Sequence, residues 1–125
     1  MATEQNVNPP PYYPDHPIVR QEWARYLNSA SGMDVRIGWI LEQLKADGVA
    51  EDTVVIFFGD NGRLEARGIH WCFDSGLHVP MVINWPANFL APAGYREGLV
   101  DERVISLIDL TATTLVIAGL EVPRG

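Results

Sequence analysis

The sequence predicts an α/β fold with a mostly parallel central sheet, and three features carry that prediction. Thr53-Val54-Val55-Ile56-Phe57-Phe58 is a short, unbroken apolar run of the kind that forms a strand buried on both faces beneath helices. Met81-Val82-Ile83-Asn84-Trp85 reads as another short apolar strand, stopped by Pro86. Between Ile18 and Asp47, the apolar positions Trp23, Tyr26, Ala30, Met33, Ile37, Ile40/Leu41 and Leu44 step by three and four, which makes one helical stripe.

In chain order, residues 1–17 contain Pro9-Pro10-Pro11, Pro14 and Pro17 and read as an extended arm. Tyr12, Tyr13 and His16 on that arm read as surface packing, with substrate contact as the other role open to them. Residues 18–123 follow as the domain proper. Ser29, Ser31 and Gly32 weaken the middle of the long helix, where a kink or break is expected. Asp34 lies on the border of the stripe, where it reads as a solvated helix charge. Gly48 after Asp47 is able to take the left-handed cap. Strand 53–58 leads into a loop from Asp60 to Val79, and strand 81–85 follows it. Residues 87–103 form a loop punctuated by Pro and Gly. Asp101 is then placed to cap a helix from about Glu102 to Ala118, ended by Gly119 and Pro123.

The first strand ends in Gly59-Asp60-Asn61-Gly62. A carboxylate and a carboxamide at the carboxyl end of a strand sit where open α/β sheets place ligands. Both are hard oxygen donors, and the flanking glycines allow the backbone to turn closely. Asp60 and Asn61 are therefore the candidate divalent-cation ligands, although Asp-Asn-Gly after a strand also makes an ordinary turn.

Further along stands Arg67-Gly68-Ile69-His70-Trp71-Cys72-Phe73-Asp74-Ser75-Gly76-Leu77-His78-Val79-Pro80, then the strand closing in Trp85-Pro86. Together with Asp60-Asn61-Gly62, this order resembles the sulfatases of the alkaline-phosphatase-like superfamily. Tyr26, Asp34 and Gly38 upstream fit the family's helix before the strand, and the resemblance implies Asp34 as an inward, structural acid there. Asp109-Leu110-Thr111-Ala112-Thr113 and Ala118-Gly119-Leu120-Glu121-Val122-Pro123 extend the resemblance downstream, so it covers roughly residues 9–123. It implies an α/β/α sandwich, hydrolysis of a sulfuric ester on a sulfated carbohydrate or aryl sulfate, and calcium or another divalent cation at Asp60 and Asn61.

The departures from that pattern are equally specific. The family's Cys/Ser-x-Pro-x-Arg nucleophile motif does not occur in this sequence, so no catalytic residue is assigned. The paired aspartates that complete the family's cation site are also missing. Its active-site lysine falls on Ile69, and Lys45, the only lysine, lies on the long helix. His70, beside that position, is the candidate sulfate contact, as a neutral donor or a protonated cation. Arg63 and Arg67 either hold an anion bidentately or are solvated loop charges. His78 reads as a structural hydrogen-bonding residue. Glu65 stands where relatives place a histidine, and Cys72 reads as a small buried apolar residue rather than a nucleophile.

Two central strands are too few to shield each other. The expectation is an incomplete domain: a fragment, or a chain associating with the missing part of the fold. Sixteen acidic against nine basic residues give a net charge of −7, which opposes binding to nucleic acid or to an anionic membrane. Met1–Asn6 is polar and has no apolar signal-peptide core. One cysteine makes no internal disulfide, so compartment stays undetermined. A phosphatase or phosphodiesterase of the same superfamily is an alternative, because a metal polarises either ester. So is a non-catalytic chain that binds a partner through its sheet edges.

Overall fold

A computed structural model describes residues 1–64 and 67–123. The chain divides into two compact units, Met1–Thr53 and Val54–Gly125.

The first unit is a long helix with the amino-terminal arm laid along it. Helix α1 spans Pro17–Ala46, 30 residues, or about 45 Å at the standard rise per residue. It begins where Pro17 presets the first helical φ and His16 caps from the extended region, its Nδ1 accepting the Ile18 N–H at 3.2 Å. No break occurs at Ser29–Gly32. The Ser31 hydroxyl donates to the Leu27 carbonyl at 3.0 Å, one turn back, so it is satisfied within the helix. At the carboxyl end, Gly48 takes φ +71°, with Val49 N–H bonded to Leu44 O and Gly48 N–H to Lys45 O. That paired bonding is a Schellman cap, which only a residue at ease in the left-handed region makes cheaply. A 3₁₀ turn at Ala50–Asp52 closes the unit.

The arm is held by specific groups. Asn28 brackets Ala2, accepting its N–H at 2.8 Å and donating to its carbonyl at 2.9 Å. Arg20 donates to Val7 O at 2.9 Å while its guanidinium grips Asp15. Tyr12, Tyr13, Trp23 and Tyr26 form a run of neighbouring rings, with centroids 5.1, 6.0 and 5.2 Å apart. Val7 and Ala24 are buried. Along α1, Trp23, Ala30, Ile37, Leu41 and Leu44 are half-buried as the stripe requires, whereas Tyr26, Met33, Ile40 and Asp34 are exposed.

The second unit is built on two strands. Strand β1 spans Val55–Phe58 and strand β2 spans Met81–Asn84. They pair antiparallel, with Val55 opposite Asn84 and Phe58 opposite Met81. The described strand pair is therefore not one of the parallel pairs expected of the sheet. β1 is also not buried on both faces: its first three residues are half-buried and Phe58 is 44% exposed. Within the described residues β1 pairs only with β2, and no further strand or helix of the unit lies against it. A one-turn helix, α2, spans Asp74–Leu77.

Helix α3 spans Ile108–Ile117 and starts six residues later than expected. Asp101 does not cap it. Its carboxylate accepts instead from the Arg103 backbone N–H at 3.1 Å and from the Arg103 guanidinium, a local clasp that holds residues 101–103 out of the helix. Asp109 serves the start of α3, accepting from Ser106 N–H at 2.9 Å. Gly119, at φ +72°, closes α3 in the same Schellman arrangement as Gly48 closes α1.

Candidate functional site

The β1–β2 pairing continues one residue past β1, where the Gly59 N–H donates to Pro80 O at 3.0 Å. Backbone pairing then stops and the chain turns outward. Asp60 and Asn61 follow at this carboxyl end of the strand, both exposed. Gly62 turns the chain back in, its N–H donating to Gly76 O at 2.9 Å. The approach is too close for any side chain. A Cβ on Gly62 would lie 2.0 Å from the Ser75 carbonyl oxygen and 2.6 Å from Gly76 Cα.

One residue on, Arg63 O accepts the Ile69 N–H at 2.9 Å. Two backbone bonds thus fasten the loop carrying Asp60 and Asn61 to the segment carrying His70. That segment is itself folded back through Trp71 N–H to Gly68 O at 3.0 Å and through the turn of α2. Gly68 and Gly76 are buried, and a Cβ on Gly76 would lie 2.4 Å from Trp71 O and 2.6 Å from Gly68 O. The Ser75 hydroxyl donates to Arg67 O. Arg67 holds φ +65°, a left-handed conformation rare for a side-chain-bearing residue, and its guanidinium stands 4.9 Å over the Phe73 ring.

The side chains of this segment face outward. His70 and Ile69 are exposed, so the position where the family's lysine is expected presents an apolar side chain to solvent. His78 Nδ1 lies 3.4 Å from the Asp74 carboxylate, one helical turn away. Cys72 is a free, exposed cysteine, which corrects the expectation of a buried one. It sits between Trp71 and Phe73, whose rings stand 6.2 Å apart, on a loop whose close packing is made by glycines rather than side chains. Glu65 lies outside the described residues. Among the described residues no three of His, Cys, Asp and Glu come together as a metal-holding group, and no helix is long and apolar enough to cross a membrane.

The glycine lock between the two loops was not foreseen from the sequence. Its only trace there is that glycines stand at 62, 68 and 76, and their spacing does not tell which of them meet. Nothing in the sequence marked Arg67 for a positive φ.

Comparison with known proteins decides the lineage. The sulfatase family model matches residues 2–120. The chain belongs to the sulfatase family. It is 33% identical over 119 residues to an ulvan-active sulfatase of Formosa agariphila, covering 95% of this chain and 19% of that protein. It is 34% identical over 106 residues to human N-sulphoglucosamine sulphohydrolase, covering 84% and 20%. Human N-acetylgalactosamine-6-sulfatase is 31% identical over 127 residues, covering 90% and 23%. The chain thus spans about a fifth of the length of these relatives. No solved structure matches it.

Proposed function

We propose that this chain supplies one wall of a sulfatase active centre, in which Asp60 and Asn61 give two oxygens to a divalent cation and His70 faces the sulfate group. The observation that carries this reading is the backbone lock between the two loops, at Gly62–Gly76 and Arg63–Ile69, within a chain of the sulfatase family. The donor set suits a hard cation, because a carboxylate and a carboxamide oxygen stand adjacent and exposed at a strand end. Calcium is the ion that the family resemblance implies. Two side chains are a minority of the roughly six to eight oxygens calcium takes, so water or other groups complete the shell. A cation there would polarise a sulfate oxygen and offset developing charge.

Sulfated saccharides are the substrate class favoured by the names of the relatives, with aryl sulfates as the simpler probe. Activity requires a nucleophile that this sequence does not contain in its family motif. Ile69 adds a second deficit, since losing one charge-stabilising donor costs about 10²–10³ in rate. A second reading, association with further sheet-forming segments, is favoured by the exposure of Val82 at 59% and Ile83 at 40% on a two-stranded sheet.

Purified chain incubated with a chromogenic aryl sulfate and calcium is expected to release product at the buffer rate. Hydrolysis above that rate that disappears in Cys72→Ala would make the exposed thiol the nucleophile and overturn the reading.

A further inference from the structure

We infer that Asn61–Gly62 is a succinimide-forming deamidation site held in check by the Gly62 N–H···O=C Gly76 hydrogen bond. The sequence contains one Asn-Gly pair. Glycine leaves the nitrogen after an asparagine sterically open, so this pair is the one in the chain most prone to cyclise. In the reaction the Gly62 nitrogen attacks Asn61 Cγ. A C–N bond forms, the Cγ–Nδ2 bond breaks, and the proton lost from Gly62 leaves with the amide nitrogen as ammonia. Water then opens the five-membered imide at either carbonyl, giving aspartate or isoaspartate at position 61. Water is the only co-reactant, and exposed Asn61 meets it freely.

The structure withholds the other requirement. To react, the Gly62 nitrogen must lose its proton and turn toward Asn61 Cγ. Its N–H is instead directed at Gly76 O at 2.9 Å. Gly76 is buried, and its own N–H is fixed to Phe73 O at 2.8 Å. The chain cannot escape the labile pair by changing Gly62, because any Cβ there would lie 2.0 Å from Ser75 O. The same close approach that demands glycine, and so creates the liability, also supplies the bond that suppresses it. Breaking that bond by local opening of the 67–77 segment sets the rate.

This inference stands independently of the cation reading. If Asn61 does lend its carboxamide oxygen to a cation, the reaction replaces a neutral donor with a carboxylate beside Asp60 or, as isoaspartate, lengthens the backbone at the site. That consequence rests on the proposed function; the chemistry does not.

The test incubates the full chain at mildly alkaline pH in native buffer and in urea. Peptide mass spectrometry and isoaspartate methyl-acceptor assay at position 61 are followed alongside hydrogen exchange of the Gly62 amide. The expected result is aspartate plus isoaspartate at 61 in urea, and a native rate lower by at least about tenfold. The Gly62 amide is expected to exchange as slowly as the β1–β2 ladder amides. In Gly76→Ala, where the new Cβ would lie 2.4 Å from Trp71 O, the native rate at Asn61 should rise toward the urea rate. Asn28, which precedes Ser29 and is bracketed by Ala2 in the other unit, should keep its wild-type rate and so exclude general unfolding. Should Gly76→Ala fail to fold, the wild-type native-to-urea comparison and the Gly62 exchange rate decide alone. Equal rates in native buffer and urea, no isoaspartate at 61 in urea, or fast exchange at Gly62 would each overturn the inference.

Discussion

Asp60 and Asn61 are candidates by position rather than by residue type, since exposed acids and amides are common along this chain. Their place at the end of an apolar run was legible, because a buried-type run that stops at Asp-Asn-Gly fixes where the strand ends. What holds their loop was not legible: the Gly62–Gly76 contact joins residues 14 apart, and glycines along a loop do not tell which of them meet. Asp101 shows the opposite failure. An acid ahead of an apolar stretch reads as a helix cap, but Arg103 two residues on offers a stronger partner, and the local clasp wins. The side-chain bonds from Arg103, then its backbone N–H, hold the Asp101 carboxyl down at about 2 against an ordinary 3.8. Because the folded value is the lower one, the clasp's contribution is complete above the ordinary value and is lost as pH falls from about 4 to about 2. NMR titration of the Asp101 carboxyl carbon should give a midpoint near the low value. In Arg103→Ala the midpoint should move up toward the ordinary one; an unmoved midpoint would contradict the clasp.

Among the elements, α1 was the most legible, since its stripe runs over many turns and Gly48 marks its end. The expected break at Ser29–Gly32 does not occur, because local propensity is weak against a helix propagating on both sides and Ser31 is satisfied within it. Gly32 within α1 and Gly48 at its cap have opposite predicted behaviour. Gly32 has nothing within 4 Å of a would-be Cβ and no positive φ, so Gly32→Ala should stabilise the chain by about 0.5–1 kcal/mol. Gly48 also has open space but sits at φ +71°, so Gly48→Ala should destabilise it by about 1 kcal/mol. Thermal melts followed by helical circular dichroism should move in opposite directions for the two variants. The strands were placed within two residues, yet their pairing sense was not readable, because an apolar run carries no record of its neighbour's direction. α3 was overextended at its start because of the Asp101 misreading, while its glycine-closed end was anticipated.

At the scale of the whole molecule, a net charge of −7 accompanies an unusual amount of exposed apolar surface, including Trp39 at 68% and Val104 fully exposed. Val7, Ala24 and Pro86 are the buried side chains among the described residues. The chain spans about a fifth of its relatives' length, and its described residues form a two-stranded sheet. The family was legible from ordered motifs along nearly the whole chain, whereas the antiparallel pairing of the two strands was not, because pairing depends on contacts that no motif records. The central claim is that Asp60 and Asn61 form part of a cation site. It is tested most directly by calcium titration of labelled protein followed by NMR. The account predicts shifts confined to residues 59–62 and the loop locked to them, weak binding at about 10⁻³ M, and loss of those shifts in Asp60→Ala. Tight stoichiometric binding, or shifts that survive unchanged in Asp60→Ala, would contradict it.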